Sequence, residues 1–189
     1  NREVLFNVFE GLVKPDADGN LIPAVAERWE ISDDQLTYTF HLRPGVKFHD
    51  GSEVTAMDVA WSIDKAMQSG SWKALDNIDT IDIGSDYVSV VLKAADSDFL
   101  SYMTLAITPE DHADSADPVG TGPFKFISRA AQQNLVLERF ADYWGEGAKV
   151  DKVTYQIYEN AEALVMALKS GAVDICAHLT ATQANQLTE

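Results

Sequence analysis

The feature that most constrains the fold is a strand with one apolar face, followed directly by an amphipathic helix. Residues 36–45 read LTYTFHLRPG, and in them Tyr38, Phe40 and Leu42 alternate with polar side chains. A period of two is typical of a strand that buries one face and exposes the other. We therefore predict a strand over this segment, with those three side chains directed into the core.

The segment after the strand has the pattern of a capped helix. An Asp50-Gly51 turn comes first. Thr55 is a good N-cap, and Asp58 three residues later completes a pair like a capping box. The sequence QSGSW predicts that this helix ends at Gly70. Three apolar residues are expected on its buried face: Ala60, Ile63 and Met67.

Helices and strands are predicted along the whole chain. The first is an N-terminal amphipathic helix with Val4, Leu5, Val8, Phe9 and Leu12 at helical spacing. The middle of the chain is predicted to contain two strands about a turn at 84–86, a helix capped by Asp96 or Ser97, and a hairpin with its loop at 130–133. Toward the end we predict a strand near 152–158, a helix from Ala161 that Gly171 ends and a short strand follows, and a last helix capped by Thr180 or Thr182. This mixture predicts an α/β (mixed α+β) fold with a mixed sheet.

Composition excludes several kinds of partner and site. The formal charge of −16 opposes binding to nucleic acid and to anionic membranes, since both carry negative phosphates. The single cysteine, Cys176, rules out an internal disulfide, and we interpret it as a small buried hydrophobe. No apolar run approaches the ~20 residues of a membrane span. The chain starts at Asn1 without a basic leader, so we expect a piece of a longer precursor from which any signal peptide is gone.

The loop DPVGTGPFKF, residues 117–126, raises the question of a phosphate site. A Walker loop requires another spacing, and the dinucleotide fingerprint requires a third glycine and a following helix. Here Pro123 and an alternating strand follow the second glycine. We therefore expect the glycines to allow either a positive φ or a close approach of two backbones.

The sequence gives no support for a metal site, a cofactor or a catalytic residue. The four histidines stand in unrelated contexts at positions 41, 49, 112 and 178, without a metal-binding spacing. The stretch EDHAD around His112 has the composition of a solvated acidic loop. A small hydrolase or isomerase that uses this acidic cluster is the alternative from another functional class.

Five segments in order resemble one known family. They are VFEGLV, PAVAERWEISDDQLTYTFHLRPGVKFHDGSEVTAMDVAWSI, PVGTGPFKF, LVLERFADYWG and KVDKVTYQIY with SGAVDI, and they extend from Val4 to Ile175. In this order they resemble the family 5 extracellular solute-binding proteins of ABC importers, the group of dipeptide-, oligopeptide- and nickel-binding receptors. The resemblance implies two lobes that close on a ligand, of which this chain matches the first.

The resemblance also implies a division of the chain. Residues 1–12 and 113–189 would form the core subdomain of a lobe of the periplasmic-binding-protein type, and residues 13–112 would form the inserted extra α/β subdomain of peptide-binding receptors. The second lobe is expected to be absent. The GTG loop would then be a structural crossing in the first lobe.

A set of ligand-binding residues follows from the same resemblance. Trp72 lies where nickel-receptor relatives have a ligand-contacting tryptophan, although packing between subdomains would also explain it. The segment MTLAI is expected to run past the cleft. Arg2 and Asn1 at the start of the chain are added because they would lie near the loop that contacts ligand in relatives. The predicted set is Trp72, Met103, Leu105, Ala106, Ile107, Arg2 and Asn1. The arginine that nickel-type relatives have near Ile107 is missing, which argues against a carboxylate-bearing metal chelate.

The function implied is that of a non-enzymatic solute receptor of an ABC importer. It would bind a di- or oligopeptide and deliver it to the membrane permease from an extracytoplasmic position, either free in the periplasm or held by a lipid anchor. Nickel chelate, haem and oligosaccharide are alternative cargoes. The lobe alone is expected to bind weakly, since half of the contacts would come from the other lobe.

Overall fold

The computed structural model describes residues 2–112, 117–176, 179, 180 and 184. In chain order the elements are α1 (Arg2–Val8), β1 (Val13–Pro15), β2 (Leu21–Pro23), β3 (Ala26–Ile31), β4 (Thr37–Leu42), α2 (Ala56–Gln68), β5 (Ile78–Ile83), β6 (Tyr87–Leu92), α3 (Phe99–Tyr102), β7 (Phe124–Ala130), β8 (Asn134–Arg139), β9 (Lys152–Gln156) and α4 (Ala161–Lys169). Short 3₁₀ helices cover Lys73–Asn77 and Glu110–His112.

The chain divides into two compact units. The first consists of Asn1–Phe126 and Glu138–Asp151, and the second of Ile127–Leu137 and Lys152–Glu189. The boundaries predicted at residues 12 and 113 do not coincide with this division, because residues 1–12 and 13–112 both belong to the first unit. A core subdomain and an inserted subdomain therefore remain a prediction.

A four-stranded sheet with the order β3-β4-β6-β5 forms the centre of the first unit. Its neighbouring strands are antiparallel, with pairs such as Phe40↔Val88. The strand prediction is confirmed, since β4 buries Tyr38, Phe40 and Leu42 and turns the side chains between them toward partial exposure. The mixed α/β class is also confirmed, with β-structure divided among a two-stranded, a four-stranded and a three-stranded sheet.

Helix α2 packs against this sheet and has the predicted start. The Thr55 side chain accepts from the Asp58 N–H, and the Asp58 carboxylate accepts from the Thr55 N–H, which completes the capping box. The buried face is rotated from the predicted one, because α2 packs against the 104–108 segment as well as the sheet. Ile63 is buried as predicted and Ala60 and Met67 only partly; the other buried residues are Ala56, Val59 and Ser62.

Most other elements agree with the sequence pattern. The hairpin β5–β6 turns at 84–86, and β7 and β8 are neighbours around the predicted loop. Helix α4 begins at Ala161, and Gly171 follows its cap with φ +73°. Helix α3 is a single turn whose N-cap is Asp98, one or two residues later than predicted.

Two predictions near the end of the chain have other outcomes. The short strand expected after Gly171 is wrong for the described residues 172–176, which have no strand, and Ile175 is 86% exposed there. A strand needs a neighbour for its N–H and C=O groups. The helix predicted from Thr180 or Thr182 falls largely outside the described residues.

The GTG loop crosses the end of α1 at very close range. A Cβ on Gly120 would lie 2.2 Å from the Val8 carbonyl oxygen, and one on Gly122 would lie 2.5 Å from that of Asn7. The Gly122 N–H donates to the Val8 carbonyl at 3.0 Å. The second of the two expected reasons is therefore confirmed: these glycines permit two backbones to approach.

Candidate functional site

The largest of the described cavities, which we call the main cavity, opens on the first unit and has a volume of about 500 Å³. Three segments form it: α1, the C-terminal half of α2 with the residues after it, and the extended piece 104–108. Its lining residues are Leu5, Phe6, Phe9, Ser62, Lys65, Ala66, Ser69, Trp72, Thr104, Leu105, Ala106 and Thr108. A concave, mostly apolar surface with a few polar groups is the usual form of a small-molecule site.

Apolar side chains stand open to solvent around this cavity. Leu5 and Phe6 are each 51% exposed, and Trp72 is 38% exposed. The opposite side of the α1 segment is closed, because Val8 and Leu12 are buried. A short helix with apolar residues on more than one side can pack on the core and still offer an apolar surface for a ligand.

A buried hydroxyl fixes the 104–108 wall against α2. Ser62 Oγ donates to the Asp58 carbonyl at 2.7 Å and accepts from the Thr108 N–H at 3.0 Å. The Ile107 N–H donates to the Glu10 carbonyl at 3.0 Å. These bonds tie the wall to both neighbouring segments, so Leu105 and Ala106 line a preformed surface.

The structure brings together three of the predicted site residues and separates two others from them. Trp72, Leu105 and Ala106 all line the main cavity. Met103 and Ile107 have no exposed surface and belong to the hydrophobic core. Leu105 has the same spacing of two and belongs to this core as well, with 5% of its surface exposed, although it also lines the main cavity. Asn1 lies outside the described residues, and so does the side chain of Arg2.

Sequence reasoning missed the contribution of α1. It placed Leu5 and Phe9 at helical spacing in an amphipathic helix, without a role in binding, and did not consider Phe6. Phe9 is only partly buried, and both phenylalanines line the main cavity. Apolar residues on two sides of a seven-residue helix were the available signal, since one packed face would not account for them.

A second cavity of about 260 Å³ adjoins the main cavity. Phe6, Phe9 and Thr104 line both. The remaining lining residues of this smaller cavity are Glu10, Gly11, Val13, Lys14 and Pro15. We call it the lysine cavity, because Lys14 is its cationic lining residue.

A hydrogen-bonded cluster built on Glu10 lies at the lysine cavity. Glu10 is only 6% exposed, and its Oε1 accepts from Lys14 Nζ at 2.8 Å and from the Tyr143 hydroxyl at 2.7 Å. Its Oε2 accepts from Trp144 Nε1 at 2.7 Å. Lys14 Nζ also donates to the Tyr143 hydroxyl at 3.1 Å. A buried carboxylate is stable in such a site, because donors replace the water that it has lost.

Burial and the neighbouring carboxylate act together on Tyr143. Both raise the pKa of its phenol well above the ordinary value of 10.0. The hydroxyl therefore keeps its proton at any ordinary pH and stays a donor to Glu10. Trp144 is part of the same packing, with its ring centroid 5.4 Å from that of Tyr143.

The region of His112 has a third, smaller cavity of about 230 Å³ with a polar lining. His112 Nδ1 lies 3.8 Å from Asp50 Oδ2, which is beyond hydrogen-bond range. The Ser52 N–H and hydroxyl both donate to Asp50 Oδ1, at 2.9 and 2.6 Å, in a local turn between neighbouring residues. Among the described residues, no group of three or more His, Cys, Asp and Glu side chains is placed to hold a metal ion.

No helix in the described part of the chain combines the length and the apolar character of a membrane span.

Cys176, expected to be buried, is only half-buried.

The sequence and the fold both match known proteins. Residues 20–189 match the family described as bacterial extracellular solute-binding proteins, family 5 Middle. A glutathione-binding protein from Pectobacterium atrosepticum is 29% identical, over 99% of this chain and 39% of the relative. A putative ABC transporter peptide-binding protein from Brucella ovis is 34% identical, over 89% of this chain and 36% of the relative.

A solved structure shows the same fold. It is that of the periplasmic binding protein AgaA from A. tumefaciens R10 in complex with agropinic acid, with a TM-score of 0.85 and 34% identity over 91% of this chain. The present chain covers 38% of that structure. It thus spans well under half the length of each of these three proteins.

Proposed function

The chain belongs to the bacterial extracellular solute-binding proteins of family 5, and we propose that it is the ligand-contacting lobe of an ABC importer's receptor. In this proposal the main cavity forms one wall of the site, and the remainder of the receptor closes over the ligand. Closure favours the bound form because the ligand contacts both sides only in that state. The closed receptor then delivers its solute to the permease subunits in the membrane.

The observation that carries the proposal is the open, apolar cavity with Trp72 in its wall. Apolar area that a ligand buries contributes about 25 cal/mol per Å². An indole offers a large, rigid surface for this at a small entropic cost. Such a wall holds a ligand without fixing its polar groups.

A di- or oligopeptide is the proposed solute. In support, one relative is described as a putative peptide-binding protein and another as glutathione-binding. Nickel chelate, haem and oligosaccharide are alternative cargoes of the same type of receptor. The proposed location is extracytoplasmic, in the periplasm or at the cell surface through a lipid anchor.

A titration followed at the tryptophan side chains tests this function. The chain has four tryptophans, so its indole N–H signals in a ¹⁵N-¹H NMR spectrum are few and can be assigned with variants. Mixed di- to pentapeptides are added up to millimolar concentration, since one lobe supplies only part of the contacts. We expect the Trp72 signal to shift. We expect Trp72→Ala to weaken binding about 10- to 100-fold, as for an aromatic anchor.

Tyr87→Ala is the matched control. Tyr87 is also 38% exposed but lines neither cavity, so this variant should bind like the original chain. Circular dichroism should show all three proteins folded. If no indole signal moves, or if Trp72→Ala and Tyr87→Ala bind alike, the main cavity is not the peptide site.

A further inference from the structure

The charges around the two cavities differ from those of the chain as a whole. The chain has 30 acidic and 14 basic residues. Among the described residues that line the main cavity or the lysine cavity, the charged ones are Lys14, Lys65 and Glu10. A surface that is acidic elsewhere thus presents two lysines and one carboxylate here.

The one carboxylate is not available to a ligand. Lys14 and Tyr143 occupy Oε1 of Glu10, and Trp144 occupies Oε2. With 6% of its surface exposed, Glu10 serves to hold these three side chains. A ligand ammonium group would therefore find no free carboxylate among the described residues of this wall.

Lys14, in contrast, has capacity left. An ammonium group has three N–H donors, and Glu10 and Tyr143 take two of them. The side chain is 32% exposed and lines the lysine cavity. Its bonds hold Nζ in a fixed position, so an anion that binds there need not order a flexible chain.

The cluster around Lys14 carries a surplus positive charge. Lys14 Nζ lies 4.8 Å and the Arg43 guanidinium 4.2 Å from the centroid of the Trp144 ring. Two cations thus accompany one buried carboxylate, and Tyr143 stays neutral because its pKa is raised. One ion pair alone would leave no net charge. The second cation therefore leaves a positive charge, which favours an incoming anion.

The two cavities lie side by side, since Phe6, Phe9 and Thr104 line both, and a ligand that passes these side chains would reach from one cavity into the other. We propose that the ligand of this receptor is an amphipathic carboxylic acid, with its carboxylate bound by Lys14 in the lysine cavity and its apolar part in the main cavity beside Trp72. The proposal rests on the function proposed above and adds the chemical class of the ligand and its orientation across the two cavities. For a peptide, the C-terminal carboxylate would be the group at Lys14.

The test compares acids with their neutral amides. Two pools of di- to pentapeptides are used, one with free C-terminal carboxylates and one with C-terminal amides, in the NMR titration of the indole signals. We expect the acid pool to bind the original chain at least tenfold more tightly than the amide pool. Lys14→Met should weaken the acid pool about tenfold and leave the amide pool unchanged, so that the preference disappears.

Further variants separate this role from a structural one. The double variant Glu10→Gln with Lys14→Met removes both charges of the ion pair at once, so no buried carboxylate is left unpaired. It should also lose the preference for the acid pool. Lys14→Arg should retain most of it. Lys65→Met tests the other lysine of the lining. Lys47→Met is the matched control, because Lys47 is an ion-paired lysine of similar exposure (38%) that lines neither cavity, and this variant should keep the full preference.

Each outcome bears on one of the two proposals. If both pools bind equally well and Trp72→Ala weakens both, the function stands and the carboxylate assignment is overturned. Loss of the acid preference in Lys65→Met instead of Lys14→Met also overturns the assignment. If neither pool moves any indole signal, the proposed function fails, and this inference fails with it.

Discussion

Two tryptophans of the first unit have opposite surroundings. Trp144 donates from its ring to the buried Glu10 at 2.7 Å and has the Arg43 guanidinium 4.2 Å from its centroid. Trp72 is 38% exposed and lines the main cavity. An indole has one N–H donor and a large apolar body. Where the donor is bound to a buried carboxylate the ring belongs to the fold, and where the ring stands in an open cavity it is free to meet a ligand.

The same contrast separates two sides of the first unit. The closed side contains the buried carboxylate of Glu10, which is paired although it borders the lysine cavity, and the crossing of the GTG loop over α1, where two backbones touch. The open side contains the main cavity, where apolar groups face solvent. Substitutions on the closed side should therefore lower stability, whereas Trp72→Ala should affect mainly binding. Three predictions test the closed side, from the largest expected effect to the smallest.

Glu10→Ala should have the largest effect. It leaves the donors of Lys14, Tyr143 and Trp144 without their common acceptor, and each buried donor left unpaired costs about 1–3 kcal/mol. The free energy of unfolding from urea titrations measures it. The control is Glu30→Ala, because Glu30 is a 64%-exposed partner of Arg28 and its loss should lower stability far less than the loss of Glu10. Equal losses in the two variants would contradict the distinction between the sides.

Gly120→Ala should have the next largest effect. Its Cβ would lie 2.2 Å from the Val8 carbonyl oxygen, which belongs to the backbone and cannot move without shifting the end of α1. Overpacking of this kind costs about 1–3 kcal/mol. Gly147→Ala is the matched control, because no atom lies within 4 Å of its Cβ position and its φ is not positive. The denaturation midpoints of the two variants should differ clearly; coincident midpoints would show that the crossing can adapt.

The smallest effect concerns pH and His49, which bonds to the same crossing. The Gly120 N–H donates to His49 Nδ1 at 3.2 Å, so the ring proton is on Nε2, which donates to the Gly122 carbonyl at 3.0 Å. Protonation of Nδ1 would break the first bond. Burial of the ring lowers the pKa of His49 below the ordinary 6.5, against the opposing bond to Gly122. The unfolded chain therefore binds the proton at higher pH than the folded one.

It follows that this stabilisation is complete above about pH 6.5, the pKa of an unperturbed histidine, and is lost as pH falls toward the folded pKa. Lys125 acts in the same direction as burial, while Asp50 and Glu10 oppose it. Urea midpoints should fall between pH 7.5 and 5.5, and less so in His49→Gln, which does not titrate. This window lies above the titration of most carboxylates. An identical pH dependence in both proteins would mean that His49 does not contribute.

Much of the local structure could be predicted because local physics decides it. The alternation around Phe40 produces a strand, Thr55 and Asp58 cap a helix whatever packs on it, and Gly171 ends α4 in the conformation that glycine adopts readily. Contacts between residues far apart in the sequence could not be predicted in this way. The rotated face of α2 depends on a bond from Ser62 to Thr108, 46 residues away.

By itself the sequence determined the class of fold, the order of most elements and the resemblance to a receptor family. It also indicated Trp72 as a candidate ligand-binding residue. Only the tertiary structure decided which apolar residues are core and which are open. In MTLAI, Met103 and Leu105 are both core residues and Ala106 is exposed, yet Leu105 and Ala106 both line the cavity and Met103 does not. It also brought Glu10 to Tyr143 and Trp144 across 133 and 134 positions. The physical reason is that propensity and capping act over a few residues, whereas burial and the pairing of buried polar groups depend on what the folded chain places beside them.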